Sequence, residues 1–166
     1  VLAYLHTRTP PIVVRDLKPS NLILTPAGLT LVDFGIARVL APATKTATLA
    51  AGMGTPGYAP PEQYASGQSD PRSDLYALGV SFYECLTGKY PFDDPTPPIK
   101  TQPKDPKQFK GCADLSSSLV NVLAKMIAPE RKDRFASAEE FLIALAEVKR
   151  LRSVLTTGEI GAGPKV

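Results

Sequence analysis

Helical hydrophobic patterns dominate the second half of the chain. After Asp70, a predicted N-cap followed by Pro71 at the first helical position, apolar residues occur on nearly every side of a helix: Leu75, Tyr76, Leu78, Val80, Phe82, Tyr83 and Leu86. A helix without a polar face has to be buried. Two amphipathic helices are predicted further on, from Leu119, Val122, Leu123 and Met126, and from Phe141, Ala144, Leu145 and Val148 after a capping box of Ser137 and Glu140.

The first half of the chain shows short β-rich runs instead. Residues 12–14, 22–24 and 29–32 are apolar and are separated by polar or glycine-containing turns, which predicts small hairpins rather than a sheet core. Residues 39–58 have no helical or strand period and are interpreted as a long functional loop. The predicted fold is therefore mainly α with small β-hairpins. We expect one domain over residues 1–151 and a flexible tail over residues 152–166, where the pattern is lost.

Composition narrows the classes of function. The chain has 166 residues, which is about one domain at roughly 100 to 200 residues each. Nineteen Lys and Arg against sixteen Asp and Glu leave a net charge of +3 without a basic block, so nucleic-acid binding is not expected. Two cysteines exclude a disulfide framework and a four-cysteine metal site. The sequence shows no secretory signal and no long apolar segment, which favours a cytoplasmic location and no membrane segment.

Three other features are weaker as functional signals. Many of the seventeen prolines lie in residues 91–106, which predicts an extended surface loop or, as the alternative, a docking site for a proline-binding module. The glycines of residues 52–57 match a nucleotide-loop spacing but lack a strand before and a helix start after them, so we interpret them as a flexible loop. His6 is the only histidine and lies near the start of the chain, which argues against a histidine-based catalytic triad and a zinc site, and we interpret it as a helix-end residue.

The strongest chemical signal is a group of polar residues between short apolar runs. Asp16, Lys18 and Asn21 lie in one turn, and Asp33 ends the next run, so these groups are expected to converge at the ends of adjacent hairpins. A carboxylate and an amide oxygen suit Mg²⁺, which also takes substrate phosphates as ligands. A lysine suits developing phosphoryl charge, and a second carboxylate can orient a hydroxyl nucleophile. The pattern predicts a metal and phosphate site.

The two segments that hold these residues, from Val14 to Asn21 and from Leu31 to Gly35, resemble motifs of a known family. The chain is similar to the C-terminal lobe of a bacterial-type serine/threonine protein kinase. The resemblance implies that Asp16 accepts the proton of the substrate hydroxyl and that Lys18 contacts the transferred phosphate. It further implies that Asn21 and Asp33 hold Mg²⁺ or Mn²⁺, and that Ile23 lies under the adenine of ATP.

The resemblance continues downstream. Residues 54–62 are similar to the end of an activation loop, with Thr55 placed to contact Asp16 and Lys18. Asp74 resembles an aspartate that braces the catalytic loop, and Arg134 resembles an arginine that pairs with Glu62. Arg15 resembles an arginine that binds a phosphorylated loop residue, for which the candidates are Thr44, Thr46 and Thr48. The alternative is that these threonines are ordinary loop residues that are not phosphorylated.

Three departures from the family qualify this reading. Val14 replaces the usual histidine before Arg15, which removes one hydrogen bond, and Ser20 replaces a glutamate of some members. The chain also begins inside an apolar stretch and contains no glycine-rich nucleotide cover or strand lysine. We therefore expect a fragment of a longer kinase, inactive alone, whose parent uses ATP and Mg²⁺ to phosphorylate Ser or Thr of proteins and whose partner is the missing N-terminal lobe. The alternative is a noncatalytic kinase-like scaffold.

Overall fold

The computed structural model describes residues 1–33, 37–39, 54–66, 69–92 and 111–157. Within these ranges the α-helices are α1 (Leu2–His6), α2 (Pro61–Ser66), α3 (Pro71–Thr87), α4 (Ser117–Met126) and α5 (Ala138–Thr157). The strands are β1 (Ile12–Val13), β2 (Leu22–Thr25), β3 (Gly28–Leu31) and β4 (Arg38–Val39). Short 3-10 turns occur at Pro19–Asn21, Cys112–Asp114 and Arg131–Asp133. The mainly helical prediction is confirmed for the described residues.

The strands form two separate antiparallel pairs. β2 and β3 make the predicted hairpin, in which Leu22 is paired with Leu31 and Thr25 with Gly28. β1 pairs instead with β4, with Ile12 opposite Val39. Val39, at the start of the segment predicted to lack strand structure, is therefore a strand residue. Its partner strand is distant in sequence, so the local pattern around Val39 carries no sign of the pairing.

Helix α3 is the centre of the hydrophobic core, as the apolar pattern predicts. Asp70 caps it by accepting hydrogen bonds from the backbone N–H groups of Arg72 at 2.8 Å and Ser73 at 3.2 Å. The side chains of Leu75, Tyr76, Val80 and Tyr83 are fully buried. Leu86 in the last turn is an exception, with 52% of its surface exposed.

Helix α4 crosses α3 at a close contact that involves Gly79. A Cβ atom on Gly79 would lie 2.6 Å from the Cβ of Met126 and 2.8 Å from the Cγ2 of Ile127. The absence of a side chain at Gly79 is therefore what lets the two helices approach. Leu123 and Met126 of α4 are buried, whereas Leu119 and Val122 are only partly buried.

Helix α5 extends further than the sequence pattern predicts. Ser137 accepts a hydrogen bond from the backbone N–H of Glu140 at 3.2 Å, but the Glu140 carboxylate accepts from the N–H of Ala136, so half of the predicted capping box forms. The helix continues to Thr157 and so includes residues 152–157 of the predicted tail. Arg150 pairs with Glu147 one turn earlier, which supports the extension.

Some sequence predictions fall outside the described residues. These are the loop threonines Thr44, Thr46 and Thr48, the Phe34–Gly35 end of the second motif, residues 158–166 and most of the proline-rich stretch. Gly54 is described and packs against the α2 residue Gln63, whose Nε2 would lie 2.4 Å from a Cβ at this position. Close packing against Gln63 accounts for a glycine at this position.

Candidate active site

Asp74 of α3 fixes the backbone of the loop that follows β1. Its side chain is completely buried and accepts hydrogen bonds from the N–H of Val14 and the N–H of Arg15, both at 2.8 Å. Arg15 has a φ of 73°, a left-handed conformation that L residues rarely adopt. The two hydrogen bonds to one carboxylate stabilise this strained backbone. Asp16, the next residue, thereby acquires its position from the central helix.

His6 is a second partner of Asp74 that the sequence interpretation missed. It is the last residue of α1, as a helix-end residue should be, but its side chain is only 5% exposed. The His6 Nε2 lies 2.9 Å from the Asp74 Oδ2. The contact joins residues 68 positions apart, and no local pattern around a lone histidine could have indicated it.

Asp16, Lys18 and Thr55 form a closed group of hydrogen bonds. The Lys18 Nζ lies 2.9 Å from the Asp16 Oδ2 and donates to the Thr55 Oγ1 at 2.9 Å. The Thr55 hydroxyl in turn donates to the Asp16 Oδ1 at 2.6 Å. Burial of Asp16 opposes its ionisation, but hydrogen bonds from Lys18 and Thr55 outweigh burial and lower its pKa. Asp16 is consequently an ionised carboxylate at neutral pH.

Asn21 is oriented by the same loop. It is 5% exposed, and its Nδ2 donates to the backbone carbonyl of Asp16 at 2.9 Å. Because the amide nitrogen has this partner, the amide oxygen is the atom of Asn21 that can bind a cation. The 3-10 turn Pro19–Asn21, which starts at a proline, sets the direction of the side chain.

Asp33 reaches this region through the β2–β3 hairpin. The Val32 N–H donates to the Asn21 carbonyl at 2.9 Å, just beyond the last paired residues of the two strands. Asn21 and Asp33 therefore flank the open end of one hairpin, which corrects the expectation of adjacent hairpins. Asp33 is exposed and has a φ of 63°. Ile23, on β2, is 48% exposed.

These donors fit a magnesium site that is completed by a phosphate ligand. Asp33 supplies a carboxylate and Asn21 an amide oxygen, and Mg²⁺ commonly takes one or two protein carboxylates together with substrate phosphates and water. Among the described residues, no group of three or more His, Cys, Asp and Glu side chains could hold a metal ion. A cation at this end of the hairpin would take its remaining ligands from substrate phosphates and water.

The side chain of Arg15 lies in a buried polar cluster. It is 4% exposed, and its Nε donates to the Ser69 hydroxyl at 3.1 Å. Ser69 donates to the Gln63 Oε1 at 3.1 Å, and the Gln63 Nε2 donates to the Arg15 carbonyl at 3.2 Å. Sequence reasoning identified Arg15 but neither Gln63 nor Ser69, because both are unremarkable residues in their local context.

A buried ion pair joins α2 to the segment before α5. The Arg134 guanidinium donates to both carboxylate oxygens of Glu62, at 2.7 and 2.9 Å, so the pairing expected from the resemblance is present. Burial of Glu62 opposes ionisation, but the hydrogen bonds and charge of Arg134 lower its pKa overall. The pair anchors α2, which directly follows Thr55 and its turn.

Similarity to known proteins covers most of the chain. Residues 1–144 match the family described as the protein kinase domain. The chain belongs to this family. It is 37% identical over 151 residues to a probable serine/threonine-protein kinase PknB of Corynebacterium glutamicum, a match that covers 84% of the chain and 23% of that protein.

Two further relatives have the same named activity. The serine/threonine-protein kinase pkn2 of Myxococcus xanthus is 35% identical over 169 residues, which covers 95% of this chain and 20% of that protein. The serine/threonine-protein kinase PrkC of Bacillus subtilis is 34% identical over 145 residues, 84% of this chain and 22% of that protein. The chain thus spans less than a quarter of the length of each of these relatives. No helix among its described residues is long and apolar enough to cross a membrane.

Proposed function

We propose that the protein containing this chain transfers the γ-phosphoryl group of ATP to serine or threonine hydroxyls of proteins. This chain would supply the C-terminal, mainly helical lobe of the kinase domain, with an N-terminal lobe as its partner and the cytoplasm as its location. The observation that supports the proposal most is the arrangement of Asp16, Lys18 and Thr55 beside Asn21. It brings an ionised carboxylate and an ammonium group together beside the buried amide of Asn21, which offers an oxygen to a cation.

Asp16 is the proposed acceptor for the hydroxyl of the substrate. Its lowered pKa keeps it ionised, so it can accept a hydrogen bond from a serine or threonine hydroxyl and orient that oxygen towards the phosphorus. Thr55 holds one carboxylate oxygen and Lys18 the other. Lys18 lies where it can also stabilise charge on the transferred phosphoryl group.

Asn21 and Asp33 are the proposed ligands for Mg²⁺ or Mn²⁺. When bound, the cation neutralises the charge of the nucleotide phosphates. The residues of this chain position it, since Asn21 is oriented through Asp16 and Asp33 through the hairpin. Ile23, half exposed on β2, offers apolar surface for the adenine ring, and Arg15 is the proposed partner of a phosphorylated Thr44, Thr46 or Thr48.

A direct test measures ATP-dependent phosphorylation by the full-length gene product, with Asp16→Asn as the variant. The matched control is Asp133→Asn, which changes an exposed aspartate outside the site. We expect Asp16→Asn to reduce the rate at least about 100-fold, as for loss of an acid–base group, while Asp133→Asn has no effect. Phosphoryl transfer that survives Asp16→Asn would contradict the assigned role.

A second measurement separates catalysis from nucleotide binding. The thermal midpoint of the full-length gene product and of its Asp33→Asn variant is recorded in the presence and absence of Mg²⁺ and ATP. Stabilisation by Mg²⁺ and ATP that Asp33→Asn removes supports the metal site. Nucleotide binding without any phosphoryl transfer would favour the noncatalytic scaffold, the alternative that Val14 in place of the family's histidine suggests.

A further inference from the structure

Gln63 of α2 is a completely buried polar residue beside the candidate active site. A buried amide is stable only when its polar atoms find hydrogen-bond partners inside the protein. The Gln63 Oε1 accepts from the Ser69 hydroxyl at 3.1 Å, and the Gln63 Nε2 donates to the backbone carbonyl of Arg15 at 3.2 Å. The second of these bonds reaches the residue directly before Asp16.

The side chain of Arg15 sets the direction of every hydrogen bond in this ring. A guanidinium can only donate, so the Ser69 hydroxyl accepts from the Arg15 Nε, at 3.1 Å. The proton of Ser69 is then directed at the Gln63 Oε1, which leaves the N–H₂ group of Gln63 facing the Arg15 carbonyl. The ring therefore needs an acceptor and a donor on the same side chain at position 63. An ionised carboxylate would supply the acceptor but not the donor.

The carbonyl that Gln63 binds belongs to the peptide group that leads into Asp16. Arg15 has a φ of 73°, and such a conformation persists only where the surroundings hold it. Asp74 holds the Arg15 N–H at 2.8 Å and so fixes the peptide plane before this residue. Gln63 fixes the peptide plane after it, and peptide groups are planar. The two contacts together determine the direction in which the chain enters Asp16.

The same amide also lies against the segment that holds Thr55. Gly54 has a φ of 138°, and a Cβ on it would lie 2.4 Å from the Gln63 Nε2. Thr55 follows Gly54 and Asp16 follows Arg15, and the Thr55 hydroxyl donates to the Asp16 Oδ1 at 2.6 Å. The Gln63 amide thus contacts both backbone segments one residue before the two that form this bond.

Helix α2 provides a firm support for the amide. Glu62, the preceding residue, accepts from the buried Arg134 guanidinium at 2.7 and 2.9 Å. The backbone N–H of Gln63 donates to the Pro60 carbonyl at 3.0 Å. The position of the amide is therefore set by α2 and its ion pair, and not by the loop that the amide holds.

We propose that Gln63 is a positioning residue for phosphoryl transfer, which acts through the Arg15 carbonyl on the carboxylate of Asp16. The inference rests on the function proposed above and adds a second support for the loop to that of Asp74. Because Gln63 orients the proposed acceptor of the substrate hydroxyl, its loss should slow the chemical step in molecules that remain folded.

The first test is steady-state kinetics of the full-length gene product with the change Gln63→Met, which keeps an unbranched side chain but removes both hydrogen bonds. The matched control is Ile127→Val, a change at a fully buried residue that packs against Gly79 of α3. Thermal midpoints establish the folded fraction of each variant at the assay temperature.

The two variants should differ in kcat per folded molecule. We expect Gln63→Met to lower kcat at least about tenfold with little change in KM for the protein substrate, since small misplacements of reacting groups are costly. Ile127→Val should lower the thermal midpoint and leave kcat unchanged. A native kcat in folded Gln63→Met, a loss confined to KM, or an equal loss of kcat in Ile127→Val would overturn the proposal.

A second set of variants tests the direction of the ring. Gln63→Glu keeps the acceptor for Ser69 but, when ionised, has no N–H for the Arg15 carbonyl. At neutral pH it should lose as much kcat as Gln63→Met. Ser69→Thr keeps the hydroxyl and should retain the kcat that Ser69→Ala loses. Native kcat in Gln63→Glu or in Ser69→Ala would refute the assigned donor and acceptor roles.

Hydrogen exchange of the same protein separates this inference from the proposed function. The N–H groups of Val14 and Arg15 are both bonded to Asp74, so their exchange reports the order of the loop. Gln63→Met should accelerate it about fivefold, as loss of one neutral hydrogen bond predicts, and Ile127→Val should not. If the native protein transfers no phosphate, the proposed function fails, and faster exchange in Gln63→Met still supports the positioning of the loop. Unchanged exchange refutes the role of Gln63 in either case.

Discussion

The buried ion pair of Arg134 with Glu62 leads to a prediction about how the site is anchored. Its guanidinium donates to both oxygens of Glu62 at 2.7 and 2.9 Å and to the carbonyls of Ala128 at 2.7 Å and Pro129 at 2.8 Å. The Arg134 side chain is fully buried, and that of Glu62 is 12% exposed. The change Arg134→Met keeps an unbranched side chain but removes the charge and all of these hydrogen bonds.

The expected loss is large because Glu62 would remain ionised without its main partner. Removing one member of a buried ion pair costs about 3–5 kcal/mol. Glu62 keeps a hydrogen bond from Ser73 at 2.8 Å and an ion pair with Arg131 at 3.3 Å, so we expect a value near the lower end, about 3 kcal/mol. Glu62→Gln combined with Arg134→Met should cost less than the sum of the two single changes, since neither charge is then left alone.

The assay is urea unfolding of the full chain followed by circular dichroism, at neutral and at acid pH. Because the pKa of Glu62 is lowered in the folded state, its contribution is complete above its ordinary value of 4.5 and is lost as the pH falls through the folded-state pKa. The difference between the native chain and Arg134→Met should therefore shrink as the pH falls below 4.5. Arg150→Met, which changes an arginine with 63% exposure, is the control. A loss below about 1 kcal/mol for Arg134→Met, similar to a surface pair, would refute the reasoning.

Three further changes probe the core and the loop. Gly79→Ala should lower stability by about 1–3 kcal/mol through overpacking against Met126. Helix propensity alone would instead raise stability, so the sign of the stability change in thermal unfolding distinguishes the two effects. The change Asp74→Asn replaces one of the two carboxylate oxygens by an N–H₂ group, which then faces a backbone N–H donor. The free energy of unfolding should fall by about 2–3 kcal/mol. An unchanged value would contradict the bracing role of Asp74. Tyr58→Phe removes the hydroxyl that donates to Glu84 and should cost about 1 kcal/mol in urea unfolding, with Glu84→Gln giving a similar loss if that bond is the cause.

Much of the helical part of this fold can be predicted from the sequence. The uninterrupted apolar pattern after Asp70 correctly predicts the buried α3, because a helix that lacks a polar face is stable only inside a core. The caps at Asp70 and Ser137 mark helix starts, since their side chains satisfy N–H groups that no helix can satisfy internally. The end of α5 is missed because the apolar pattern used to predict the helix ends at Val148, nine residues before the last helical residue.

Sequence by itself also singled out the candidate site, because Asp16, Lys18, Asn21 and Asp33 are recognisable by residue type and order alone. What only the tertiary structure decided is how these groups meet. The contact of Thr55 with Asp16 spans 39 residues, and that of His6 with Asp74 spans 68. Hydrogen bonds act over about 3 Å in space, whatever the separation along the chain, so partners this distant leave no periodic trace in the sequence. The left-handed backbone at Arg15 has the same origin, because it is stable only where the carboxylate of Asp74 meets both amides at once.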